Sequence, residues 1–141
     1  MDYQTAKEMY NQFQKETVNL EGSLKKHYED LIASYENGFQ DEQFSAFPQT
    51  QIRIGDAVFV SFPFELFCEI SMRIDRASKI PYVLSLSNAN GSEGYFVSQD
   101  QICYGGYEVS MFKNGHLQAY CDNADSYVIQ QTLSNLEGVD M

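Results

Sequence analysis

The strongest local signal in this sequence is a β-hairpin. Two β-prone runs, residues 51–54 and 57–62, flank the dipeptide Gly55-Asp56. A Gly-Asp pair between two such runs is typical of a two-residue hairpin turn. The second run is apolar on both faces, which indicates a strand that lies inside a covered sheet.

The segment that follows the hairpin predicts a crossover. Residues 65–78 repeat apolar side chains at three- and four-residue steps, as a helix that packs on a sheet does. Pro81 ends this helix, because the residue before a proline avoids the α conformation. Residues 82–86 are again short and apolar. Strand, helix and strand in this order predict a parallel βαβ unit.

Two further helices are predicted at the ends of the chain. Residues 2–36 carry an apolar stripe that predicts a long N-terminal helix, with a break or kink at Gly22, and residues 126–137 predict a C-terminal helix. Residues 95–121 are aromatic and cannot be assigned. The expected fold is α+β: a long N-terminal helix packed on a small mixed β-sheet, with a hairpin, a βαβ crossover and a C-terminal helix, in one domain over residues 1–141.

The charge restricts the possible partners. The chain has 141 residues and a formal net charge of −11, which opposes binding to nucleic acid and to anionic membranes. No run of about 18 apolar residues occurs, so we expect no transmembrane segment. The polar start of the chain does not resemble a signal peptide, and we therefore expect a soluble chain that is cytoplasmic as given.

The cysteines and histidines do not form a recognisable motif. Cys68, Cys103 and Cys121 are far apart and include no CxxC pair, so we expect buried, reduced thiols. His27 lies among charged residues and is expected to be a solvated helix residue. His116 follows an Asn-Gly pair and is expected to lie in a turn. An isolated histidine gives little support for a catalytic site.

Glu65 is the first candidate site residue. It follows an apolar strand and Pro63, and we expect it in the first turn of a helix at the C-terminal edge of the sheet. A helix N-terminus stabilises a carboxylate there. Glu69 would lie one turn later on the same face. The alternative is a surface carboxylate that caps the helix, with Arg73 nearby.

Tyr95 is the second candidate. It follows residues 88–94, a loop rich in Asn, Gly and Ser after the next predicted strand. Tyr95 follows Glu65 by 30 residues (95 minus 65), which is about the length of a βαβ unit. We therefore expect Glu65 and Tyr95 at the same edge of the sheet. The alternative is that the ring of Tyr95 packs over the loop.

Three segments that include these residues resemble the neutral/alkaline non-lysosomal ceramidases. Residues 54–65 resemble the strand and Pro-Gly-Glu segment of that family, and residues 90–95 resemble its Asn-Gly-x-x-Gly-Tyr segment. Residues 105–108, Gly-Gly-Tyr-Glu, resemble the next block. The order and spacing agree, and the resemblance covers the C-terminal part of the family's catalytic domain over residues 51–138. The N-terminal helical segment, residues 1–38, resembles no family.

The resemblance implies a metal site. In that family one zinc ion is held by two histidines, a glutamate and a tyrosine, and it activates water or polarises the carbonyl for hydrolysis of the amide bond in ceramide. The resemblance places the glutamate at Glu65 and the tyrosine at Tyr95. It makes Asn90, Tyr107 and Glu108 further site candidates, and it assigns no catalytic residue.

The sequence also departs from the family pattern. Phe64 replaces the usual glycine and is expected to narrow the approach to Glu65. The two family histidines have no counterpart, because neither His27 nor His116 matches them. We therefore expect no zinc to be bound by this chain alone, since two oxygen ligands without imidazole hold zinc poorly.

Two hypotheses about function remain open at this point. In the first, the chain is the C-terminal half of a zinc-dependent amidase. It is then inactive alone, and an upstream catalytic half or another copy of the chain completes the site for a lipid-amide or other amide substrate. In the second, it is a stand-alone interaction or structural domain that kept the fold and lost the chemistry.

Overall fold

The computed structural model describes residues 2–15, 22–40, 46–115 and 120–139. The chain divides into two compact units, Met1–Ser45 with Lys113–Ala119, and Ala46–Phe112 with Tyr120–Met141. The elements in chain order are α1 Tyr3–Lys15, α2 Gly22–Glu36, β1 Gln51–Ile54, β2 Ala57–Ser61, β3 Glu65–Leu66, α3 Cys68–Ala77, β4 Tyr82–Leu86, β5 Tyr95–Phe96, α4 Gln99–Ile102, α5 Tyr107–Asn114 and α6 Ala124–Val139.

The N-terminal unit contains a pair of helices, so the prediction of one long helix is wrong. Helix α1 has 13 residues and α2 has 15, and α2 begins at Gly22, where a break was expected. The Tyr3 hydroxyl donates a hydrogen bond to Glu36 at 2.9 Å, and the Tyr10 hydroxyl donates one to Glu29 at 3.2 Å. Because early residues of α1 contact late residues of α2, the helices are antiparallel.

A small core explains why the chain reverses. Ala6 of α1 is fully buried, and Tyr28 and Leu31 of α2 are almost fully buried against it. Each helix has an apolar stripe, and a single straight helix would leave both stripes exposed to water. Antiparallel pairing buries one stripe against the other, and removing this apolar surface from water stabilises the helix pair.

The predicted hairpin and crossover are confirmed in the larger unit. Strands β1 and β2 pair antiparallel around Gly55, whose φ of 60° is the left-handed conformation that glycine adopts without strain. Strands β2 and β4 pair in parallel, and helix α3 connects them. The result is a three-stranded mixed sheet in the order β1-β2-β4.

Helices α3 and α6 cover one face of this sheet. Ile70 and Ile74 of α3 are fully buried in the same core cluster as Val58 and Val60 of β2. Helix α6 is the predicted C-terminal helix, and it contributes Leu136 to this core. The core is completed by aromatic side chains, which are Phe47, Phe62, Phe64, Phe96, Phe112 and Tyr120.

None of the described helices is long and apolar enough to cross a membrane.

The three cysteines are free thiols on the surface. They do not form disulfides, but Cys68, Cys103 and Cys121 are all exposed, so the expectation of buried thiols is wrong. Their positions at a helix start or beside turns, rather than on apolar stripes, explain the exposure.

Candidate functional site

Glu65 and Tyr95 lie opposite each other in a second, very small sheet. Strands β3 and β5 pair in parallel, with Glu65 opposite Tyr95 and Leu66 opposite Phe96. Side chains of residues that face each other across a strand pair point to the same side of the sheet. The two candidates that are 30 residues apart in sequence are therefore neighbours in space.

Glu65 reaches this position in a strand, and the prediction that it lies in the first helical turn is wrong. Helix α3 begins only at Cys68. The amide of Glu65 donates a hydrogen bond to the Gly94 carbonyl at 2.8 Å, and the amide of Phe67 donates one to Phe96 at 3.0 Å. These bonds between distant segments satisfy the amides that a helix start would leave unpaired.

The loop before Tyr95 is attached to the segment before Glu65. Three amides of the loop donate to carbonyls of residues 62–64, at distances from 2.7 to 3.0 Å. They are those of Asn88, Ala89 and Glu93, bonded to Phe64, Phe62 and Pro63. Gly91 packs so closely on Pro63 that an added Cβ would lie 2.6 Å from the Cβ of that proline. This close packing fixes the position of Tyr95 relative to Glu65.

The carboxylate of Glu65 acts directly on the phenol of Tyr95. The negative charge of Glu65 is the main reason why the pKa of Tyr95 is raised above its ordinary value, and partial desolvation and hydrogen bonding to the same carboxylate add to it. Ionisation would place a second negative charge beside the first. Tyr95 therefore loses its phenol proton less readily than an ordinary tyrosine.

Tyr107 and Glu108, from the third segment of the resemblance, also lie at this site. The rings of Tyr95 and Tyr107 are 5.9 Å apart and nearly perpendicular, at 80°. The charge of Glu108 contributes to the raised pKa of Tyr95. The turn before α5 contains Gly105 and Gly106, with φ values of 67° and 101° that favour glycine.

Asn90 has a different role from these four residues. Its side-chain amide donates hydrogen bonds to Thr50 at 2.9 Å and to Ser61 at 3.4 Å, and its φ is 62°. Asparagine tolerates this left-handed conformation better than most residues. Asn90 thus attaches the loop to the end of β2 and to the segment before β1. It helps to position the loop that leads to Tyr95.

Phe64 does not narrow the approach to Glu65, contrary to expectation. Its side chain is buried in the core and stacks on Phe47, with centroids 5.5 Å apart. Glu65, the next residue, is exposed. Successive residues of an extended chain point in opposite directions, so the large ring at position 64 faces away from the carboxylate at position 65.

Arg73, which was expected near Glu65 and Glu69, forms an ion pair with Asp125 instead. Its guanidinium Nη1 lies 2.6 Å from Asp125 Oδ2, and the Asp125 side chain is completely buried. The same carboxylate accepts hydrogen bonds from the amides of Gln99 at 3.0 Å and Ser126 at 2.6 Å. Sequence reasoning missed this ion pair, because its partners are 52 positions apart and leave no local signal.

Of the two histidines, the structure describes His27 but not His116. His27 is half-buried, with Nε2 at 3.3 Å from the Asn114 carbonyl and its ring edge-on to Tyr28, so it is not a fully solvated residue. His116 lies outside the described residues.

The donors at the site do not form a complete zinc centre. Glu65 and Tyr95 offer two oxygens, whereas a zinc centre has three or four protein ligands that normally include nitrogen or sulfur. Among the described residues no group of three His, Cys, Asp or Glu side chains could hold a metal ion. An open groove of about 580 Å³ on the same unit is lined by residues of α3 and α4, and neither Glu65 nor Tyr95 belongs to it.

Comparison with known proteins assigns no family to the chain. No family model, no curated protein and no solved structure matches it. The inference of function therefore depends on the residues of the site and on how the fold brings them together.

Proposed function

We propose that this chain supplies Glu65 and Tyr95 as two oxygen ligands to a zinc-dependent amide hydrolase of the neutral ceramidase type, and that it does not hydrolyse amides alone. The observation that carries this proposal is the pairing of Glu65 with Tyr95 across β3 and β5. Tyr107 and Glu108, from the third resembling segment, adjoin the same pair.

The donor set is the reason for the proposed inactivity. Zinc prefers ligand sets that include imidazole or thiolate, and the pair lacks both. The carboxylates also raise the pKa of Tyr95 and make its ionisation harder, whereas a tyrosine that binds zinc does so best as the phenolate. The missing nitrogen ligands would come from an upstream half of the enzyme or from another chain. The substrate of the assembled site would be a lipid amide.

Zinc binding and amide hydrolysis test this proposal separately. The purified chain with added zinc should release no product from a fluorogenic long-chain amide. Isothermal titration should show weak zinc binding only when free imidazole supplies the missing nitrogen ligands, and Glu65→Gln and Tyr95→Phe should both reduce it. Glu69→Gln is the matched control, because it removes a nearby carboxylate that does not face Tyr95, and it should leave zinc binding unchanged.

Two results would contradict the proposal. Turnover by the chain alone that is lost in Glu65→Gln would mean that its own residues complete the site. Zinc binding of equal strength in the wild type, Glu65→Gln and Tyr95→Phe would place the metal elsewhere.

A second candidate, a stand-alone interaction domain, is favoured by the state of Tyr95. The interaction of the protonated phenol with the Glu65 carboxylate needs no cation. Zinc binding that stays absent when free imidazole supplies the nitrogen ligands, with a normally folded chain, would favour this candidate over the first.

A further inference from the structure

One face of the three-stranded sheet is apolar and is not covered by the unit to which it belongs. The register places Ile52 of β1, Phe59 of β2 and Leu84 of β4 in one row across the strands. Residues two positions away on each strand lie on the same face. We name the apolar residues of this surface the apolar sheet face; they are Ile52, Ile54, Ala57, Phe59, Tyr82, Leu84 and Leu86. Ser61, at the end of β2, lies on the same side of the sheet and is buried.

The two faces of the sheet differ sharply in burial. Val58 and Val60 point to the face covered by α3 and α6 and are fully buried. The large side chains at the edges of the other face remain 43% to 65% exposed; these are Ile52, Ile54, Tyr82, Leu84 and Leu86. Parallel strand pairs such as β2 and β4 normally have both faces covered.

The exposed area can be compared with what an interface requires. Five large side chains that are each about half exposed present roughly 500 Å². That area lies in the upper half of the range for the largest apolar patch of a monomeric protein, about 300–600 Å², and such patches are often functional. Two such faces in contact would bury roughly 1,000 Å², which is about the minimum for a biological interface and predicts a weak dimer.

We propose that the apolar sheet face is the contact surface of a homodimer, in which two copies of the chain pack these faces together about a two-fold axis. A two-fold contact uses the same surface on both copies and needs only that the surface complement itself. An apolar sheet face meets this condition, because two sheets pack face to face at ~10 Å. The proposal is independent of the zinc ligands.

The charge of the chain predicts how the dimer responds to salt. None of the seven residues of the apolar sheet face is charged, so salt does not weaken the contact itself. Each chain carries a net charge of −11, and two chains repel each other through water. Because salt screens that repulsion, dimerisation should become stronger between low and moderate ionic strength.

Sedimentation equilibrium tests the proposal with matched variants. Leu84→Glu places a charge in the central row, and the two-fold axis introduces it twice, so the dimer dissociation constant should rise ~100-fold or more. Met72→Glu is the control, because Met72 of α3 is 46% exposed, close to the 43% of Leu84, and lies away from the face. It adds the same charge and should leave the dimer nearly intact.

A second pair of variants tests the same surface at a position other than Leu84. Tyr82 lies on the face and Tyr127 lies on α6, and both are 63% exposed. Tyr82→Glu should weaken the dimer and Tyr127→Glu should not. A monomer at all protein and salt concentrations would overturn the proposal and leave the face to a different chain. A dimer that survives both Leu84→Glu and Tyr82→Glu, with unchanged circular dichroism, would also overturn it.

Discussion

Glu65 and Tyr95 are opposite residues in two parallel strands of two residues each, and the Glu65 carboxylate raises the pKa of the Tyr95 phenol. Strands this short have no stability of their own. They are held by the loop of residues 88–94, whose amides bond to residues 62–64. The geometry of the site therefore depends on residues that do not belong to it.

The first prediction concerns the ionisation of Tyr95. Glu65→Gln removes the largest cause of its raised pKa, so the pKa should move down toward the ordinary value of 10.0. NMR of tyrosine labelled with ¹³C at Cζ measures this titration. Glu69→Gln should leave the Tyr95 pKa where it is, and an equal change in both variants would contradict the assignment to Glu65.

The same shift predicts how stability depends on pH. The folded chain holds the Tyr95 proton more tightly than the unfolded chain, because its pKa is higher when folded. This contribution to stability is complete below the unfolded pKa, near 10.0, and is lost as pH rises through the folded pKa. Urea unfolding at increasing alkaline pH should therefore show a steeper loss of stability for the wild type than for Glu65→Gln.

The second prediction concerns the contact between Gly91 and Pro63. In Gly91→Ala the new Cβ would lie 2.6 Å from the proline Cβ, and the rigid ring cannot move aside alone. We expect a loss of ~1–3 kcal/mol in the free energy of unfolding, as for other overpacked sites. Gly138→Ala in α6 is the control, because its Cβ would meet nothing within 4 Å. It should gain up to ~1 kcal/mol.

The third prediction concerns the ion pair between Arg73 and Asp125. The Asp125 side chain is completely buried while that of Arg73 is 46% exposed, so Arg73→Met leaves a buried carboxylate without its cation. The free energy of unfolding should fall by ~2–4 kcal/mol. This is somewhat less than the ~3–5 kcal/mol lost when a fully buried pair is broken, because Arg73 is partly solvated. Arg76→Met, three positions later on the same helix, should change it by less than ~0.5 kcal/mol. Similar losses in both variants would contradict a specific ion pair.

The fourth prediction separates the two roles of Asn90. Asn90→Gly keeps the left-handed backbone and loses the hydrogen bonds to Thr50 and Ser61, at a cost of ~0.5–1.5 kcal/mol. Asn90→Ala loses the same bonds and also strains the backbone at a φ of 62°, which adds ~1 kcal/mol. Unfolding free energies in the order wild type, Asn90→Gly, Asn90→Ala check this, and equal values for the two variants would show that the backbone conformation carries no cost.

The sequence by itself determined the elements whose signals are local. The Gly55-Asp56 turn between two β-prone runs fixed the hairpin, and the strand, helix and strand order fixed the parallel crossover of β2 and β4. The stripe of residues 126–137 indicated α6, which extends two residues beyond it at each end. Such signals can be read from sequence because neighbouring residues carry all the information.

Tertiary structure alone decided the features that depend on distant partners. Glu65 carries the pattern of a first helical turn, but the carbonyl of Gly94 holds it in a strand. Residues 2–36 carry the stripe of one helix, but burial of Ala6 against Tyr28 and Leu31 requires two. The partner of Arg73 is 52 residues away. In each case the free energy comes from a contact formed only after the chain has folded back on itself, so no window of neighbouring residues can reveal it.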